Sequence, residues 1–219
     1  FERFEMFESS NFESELQAQF PEIRSYVGVG VDNASSQIRL SAAPTGIQVM
    51  FFRPDSRDEF MEPYSKDGSV YAIYVSKREK SKLPFTCSTT DVNLMNDISA
   101  HNKSALSDNA SYKTMRLALS CTAEYANYFG ATSAANVNLV LTAMNNTMTR
   151  VNGVLEKDLA LHLNMINNTS IIFTDATTDP YSDATDGADG AWNKELMDTL
   201  HSIVGDSNFD IGHLFGASG

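Results

Sequence analysis

A mixed α+β and α/β fold is what this sequence predicts: a β-rich module, then a sheet covered by two helices. Three observations predict it. Short apolar-alternating runs broken by turn residues occupy residues 1–86. A polar stretch almost without periodicity follows, beginning near Lys77 and running to residue 110. From Ser111, strand-period and helix-period segments alternate, which implies a mostly parallel sheet. The domains are accordingly 1–86, a linker at 87–110 and a second domain at 111–219.

In the opening "FERFEMF", phenylalanines alternate as on a strand. Leu16 and Phe20, four apart, mark a short helix that Pro21 limits. "SQIRLSAAPTGIQVMFF" predicts two strands around a Pro44–Gly46 turn, and "EFMEPYSKDGSVYAIYV" two more around Lys66–Gly68. In the second domain, Met115, Leu117, Leu119 and Cys121 share one face of a strand over 112–121. A helix over 133–156 follows, with Ser133 as its N-cap. Val137, Val140 or Leu141, Met144, Met148, Val151 and Leu155 form its apolar stripe. "DLALHLNMI" has strand period over 159–166, and "SIIFTD" extends that strand or returns beside it. "ATTDPYSDATDGADGA" is a loop. Trp192, Leu196, Leu200 and Ile203 line one face of a helix over 191–204, stopped by Gly205. The last strand spans 208–215. Both ends of the chain read as cuts within folded protein.

Composition narrows the function. Among 219 residues, 28 acids against 16 bases give a net charge of −12, with no basic cluster, so a nucleic-acid partner is not expected. No apolar run reaches the roughly 18 residues of a membrane span. Abundant Asn, Thr and Ser with scarce Lys point to a secreted protein.

Chemistry-bearing motifs are few. His101, His162, His201 and His213 are too scattered for two zinc ligands to share a helix face, and each reads as a surface or structural histidine. No G-x-S-x-G is present. "YVGVGVD" lacks the third glycine and following helix of a dinucleotide loop. Asp179, Asp183, Asp186 and Asp189 form the best cluster of hard oxygen ligands and are the candidate calcium loop; the alternative is a solvated turn. Cys121 continues an apolar strand face and reads as core. Cys87, after a Pro-Phe pair at the edge of the polar stretch, reads as a surface or disulfide-bonded thiol. No residue is named as catalytic.

Long stretches nevertheless resemble a known family. "PEIRSYVGVGVDNASSQIRLSAAPTGIQVMFF" and "EPYSKDGSVYAIYVSK" are similar to the propeptide of secreted bacterial reprolysin-like zinc metallopeptidases of the metzincin clan. "YKTMRLALSCTAEYANYFG", "AMNNTMTRVNGVLEKDLALHLNMI", "DPYSD" and "FDIGHLFGASG" resemble the first half of their catalytic domain, in the same order. The resemblance implies a precursor fragment: the end of a propeptide, then the N-terminal (upper) subdomain of a metzincin-like domain. It also implies an H-E-x-x-H-x-x-G-x-x-H helix after Gly219. There zinc would polarise the scissile carbonyl and the glutamate would take a proton from zinc-bound water. Those residues are absent here, so this chain by itself is expected to be inactive. The resemblance further makes Cys87 a candidate zinc ligand, a cysteine switch holding the precursor latent. A protein or peptide substrate is implied, laid as an added strand on an edge at or beyond Gly219. A non-catalytic secreted binding or adhesion protein is the alternative.

Overall fold

The computed structural model describes residues 1–65, 67–75 and 111–217. The 87–110 linker, Cys87 and His101 lie outside the described residues.

Residues 1–75 form a six-stranded antiparallel meander in chain order: β1 (Phe4–Glu8), β2 (Arg24–Gly30), β3 (Gln37–Ala43), β4 (Gly46–Phe52), β5 (Glu59–Pro63) and β6 (Tyr71–Val75). The β3–β4 hairpin keeps strict register from Gln37↔Phe52 to Ala43↔Gly46. Its turn needs glycine: Gly46 has φ +121°, and an added Cβ would lie 2.8 Å from Pro63. Helix α1 (Ser14–Gln19) interrupts the meander between β1 and β2 and buries Leu16.

The second sheet has three strands in the order β8-β7-β9, all parallel: β7 (Lys113–Cys121) in the centre, β8 (Leu161–Met165) on one side and β9 (Ile211–Phe215) on the other. Parallel neighbours require crossover connections. Helix α3 (Val137–Leu159) carries β7 to β8, after the short α2 (Ala123–Tyr128). The short α4 (Ala184–Ala188) and α5 (Ala191–Ile203) carry the chain from β8 to β9. Alternation along β7 sorts its side chains: Leu117, Leu119 and Cys121 face the cluster built on α3, while Ala118 faces the cluster containing Leu196 and Leu200 of α5. The two covering helices therefore lie on opposite faces of the sheet.

Four local readings are corrected. Ser133 does not cap α3; it precedes a 3-10 turn at 134–136, its hydroxyl bonds the Asn136 side chain, and Asn136 is the cap residue. "SIIFTD" is not a strand. The Ser120 hydroxyl takes the Ile171 carbonyl at 2.5 Å, Thr169–Ile171 coils into a 3-10 turn, and a single Cys121–Ile172 bridge remains. Val151 leaves the α3 stripe and is exposed, beside a groove of Met50, Phe60 and Leu155. The last strand begins at Ile211, because 206–208 forms another 3-10 turn.

The two sheets are not independent layers. Helix α3 lies between them, contacting β8 on one side and β2 and β3 on the other. Phe12, Leu16 and Ile23, from the start of the chain, are buried in the same cluster as Leu117, Val140, Met144, Met148 and Leu163.

Candidate functional site

Two polar constellations stand out, one at the tip of β7 and one along α3. The first surrounds the C-terminal end of β7, the end where open parallel sheets present their ligands. Ser120, fully buried, shares its hydroxyl between the Ile171 carbonyl and the Tyr181 hydroxyl, 2.7 Å away. Asp179 accepts the Ala123 N–H at the start of α2 and, at 2.9 Å, the Tyr181 N–H. Burial raises the Asp179 pKa, and those two backbone donors oppose the rise without cancelling it. The Trp192 indole donates to the Ser182 carbonyl at 2.9 Å, while Glu195 accepts the Ser182 N–H. The "DPYSD" motif thus fastens the loop before α5 to the tip of β7.

Nothing at this tip is an activated nucleophile. Burial pushes the Cys121 thiol up to about 12 and the Tyr181 hydroxyl up to about 12, so both stay protonated at neutral pH. What this cluster can do is hold backbone in place.

The second constellation is a seam between α3 and the N-terminal residues. Asn11 Nδ2 donates to Asn145 Oδ1 and to Thr149 Oγ1, both at 2.8 Å. Asn152 Nδ2 donates to Asn11 Oδ1 and to the Leu163 carbonyl, and Asn152 Oδ1 accepts the Leu163 N–H, all at 2.9 Å. Further along, Asn145 donates to the Arg24 carbonyl and Ser41 donates to Asn146. Arg39 and Glu156 pair at 2.6 Å with both side chains nearly buried. Glu156 also lies 2.6 Å from His162 Nδ1, and His162 Nε2 lies 3.0 Å from the Ser10 carbonyl. Burial pushes the Glu156 carboxyl up, but His162 and Arg39 together outweigh it and leave its pKa below the ordinary value.

No zinc set exists among these residues. His162 has both ring nitrogens engaged, His201 is exposed beside Asp206, and His213 is exposed on β9 against Phe215. Among the described residues, no group of three or more His, Cys, Asp or Glu is placed to hold a metal ion. The calcium loop finds no support either. Asp183 caps α4 by accepting the Thr185 and Asp186 N–H groups, and Asp179 is occupied at the β7 tip. Asp186 and Asp189 face solvent.

The seam escaped the sequence, because its contacts between α3 and the N-terminal residues join partners more than a hundred residues apart and Asn and Thr carry no local motif for it. One signal was present: the row Asn145, Thr149, Asn152 and Glu156 repeats at helical spacing, flanking the apolar stripe of α3.

Residues 111–219 match the reprolysin-like metallopeptidases of family M12B. No curated protein and no solved structure matches the chain. No helix among the described residues is long and apolar enough to cross a membrane. The match begins just before β7 and spans α3, β8, α5 and β9, the unit whose strand tips and covering helices are described above. Over residues 111–219, the chain is thus similar to a reprolysin-like metallopeptidase domain of family M12B.

Proposed function

We propose that this chain carries a propeptide and the N-terminal subdomain of the catalytic domain of a secreted zinc-dependent endopeptidase precursor. The family match over 111–219 is the observation that carries the reading. A peptidase acts on protein or peptide substrates. The described residues contain no set that fits the metal, so the zinc and its general base are assigned to a helix following Gly219 in the parent protein. This chain supplies the scaffold: β7 and β9 in register from Leu117↔Ile211 to Cys121↔Phe215, with the 179–183 loop fastened at their tips. Among the described residues β9 pairs with β7 alone, which leaves its outer edge for the next strand of such a domain.

Cys87 is proposed as the thiolate that holds the precursor latent, since a zinc–thiolate bond displaces the nucleophilic water. In the parent precursor, Cys87→Ala should raise the activity of the uncleaved form; unchanged latency removes Cys87 from the mechanism.

The reading is tested on purified residues 1–219 by zinc titration calorimetry and a mixed fluorogenic peptide substrate. Weak zinc binding and no turnover are expected. A stoichiometric, chelator-sensitive peptidase activity from these residues would overturn the placement of the site beyond Gly219.

A further inference from the structure

We propose that residues 1–75 are a permanent partner of the reprolysin-like half: after a cut in the connection between Val75 and Ser111, the two pieces stay together as one noncovalent complex. The proposal deepens the precursor reading, on which it rests only in treating such a cut as maturation. Its readout is association and involves no hydrolysis, so the two fail separately.

Anchoring comes first from segment 11–23. Phe12, Leu16 and Ile23 are 3%, 1% and 1% exposed, and their neighbours are the core of the other half: Leu117, Met144, Leu163 and Met165. Interfaces between domains of one chain are usually more polar and separable. Here three apolar side chains complete a core that residues 111–217 leave open on this side.

The backbone adds a second tie. Phe12 forms a parallel bridge with Met165 on the edge of β8, through Glu13 N–H to the Met165 carbonyl at 2.9 Å and Met165 N–H to the Asn11 carbonyl at 2.7 Å. Segment 11–13 thereby covers one end of an otherwise open parallel edge. Such edges invite foreign strands when bare.

Polar complementarity supplies the third. Asn11, Asn145, Thr149 and Asn152 are 2%, 2%, 4% and 2% exposed and satisfy one another across the seam. Separation would strip these partners at once. Gly153 permits the close approach, because an added Cβ would lie 2.7 Å from Arg39 Cγ.

The test uses the full chain with a site-specific protease recognition sequence inserted between Val75 and Ser111, cut to completion as judged on a denaturing gel. Size-exclusion chromatography with light scattering at micromolar concentration should show one species with the mass of both pieces. Pieces that elute apart overturn the proposal. Phe12→Ala should speed separation of the cut pieces by about a hundredfold or more, from the cost of emptying a buried phenylalanine site. A cut Phe12→Ala protein that holds together as tightly as the parent would equally contradict the anchor. Should Phe12→Ala not fold uncut, Ser41→Ala replaces it. Losing the single bond to Asn146 should then speed separation roughly three- to tenfold, and no change would count against the seam.

Discussion

Asn152 and Asn11, 141 residues apart in sequence, are joined side chain to side chain at 2.9 Å inside the protein. The same Asn152 amide also brackets the backbone of Leu163 on β8. One helical side chain therefore ties a strand of the reprolysin-like half to the N-terminal segment. Asn152→Ala would leave Asn11 Oδ1 and both Leu163 backbone groups without this partner in a buried site. A loss of about 2–4 kcal/mol is expected in urea unfolding, more than one ordinary hydrogen bond gives. A loss under about 0.5 kcal/mol would mean that the seam is not a structural tie.

Gly153 sets up a contest of signs. Alanine favours helix over glycine by about 1 kcal/mol. At Gly153, however, the added methyl would meet Arg39 Cγ at 2.7 Å and the Phe52 ring at 3.1 Å. Overpacking of this kind costs about 1–3 kcal/mol. Gly153→Ala is therefore expected to lower the melting temperature, and a rise would show that α3 does not press on β3 and β4.

Ala160 ends α3 in the left-handed region, with φ +51°, the sole non-glycine with positive φ among the described residues. That conformation costs an L-residue about 1–2 kcal/mol, while glycine in the unfolded chain gives back roughly half of the relief. Ala160→Gly should stabilise the protein by about 0.5–1 kcal/mol in thermal unfolding. A destabilised variant would contradict this cap geometry.

Acid should unfold the protein through identifiable groups. Glu156 has a depressed pKa in the folded state, and Asp210, beside the Arg116 guanidinium and accepting its backbone N–H, is held at about 2 against an ordinary 3.8. A carboxyl with a depressed folded pKa contributes stability that is fully present above its unfolded value and lost as pH falls through its folded value. Asp179 has the opposite sign, since burial raises its pKa and protonation relieves the cost. Urea midpoints should thus fall as pH drops from about 4.5 toward 2, and Asp210→Asn should flatten the lower end of that curve. Identical curves for parent and variant would remove the Arg116–Asp210 pair from the acid response.

Cys121 is fully buried, with its thiol pushed up to about 12 by that burial. In a Cys87→Ser background it should resist a thiol-specific chromogenic reagent at pH near neutral and react fully once unfolded in guanidinium. Rapid native reaction would place β7 at a surface.

Much of the second half was legible because its signals are local. Leu117, Leu119 and Cys121 alternate on β7, and Val140, Met144 and Met148 repeat at helical spacing on α3. Strand–helix–strand order then dictates parallel pairing. The misses have equally physical causes. Ser133 looked like a cap by type, yet the chain makes a 3-10 turn before α3, and Asn136 takes the position. "SIIFTD" has strand composition, but Ser120 captures the Ile171 carbonyl that a ladder would need. The aspartates of the 179–189 loop suggested a cation, whereas Asp179 and Asp183 are engaged by backbone N–H groups of the protein itself and Asp186 and Asp189 face solvent. The burial of Phe12 against Met165 depends on a contact across more than a hundred and fifty residues, which no sequence window holds.

Reading about a hundred codons of the source DNA past Gly219 tests the peptidase reading most directly, since that span accommodates the rest of a domain of ordinary size. The expected result is an open frame encoding a further strand and a helix of the form H-E-x-x-H-x-x-G-x-x-H. A stop codon, or a continuation without three histidines and a glutamate on one helix, would contradict it and leave residues 111–219 a peptidase scaffold without peptidase chemistry.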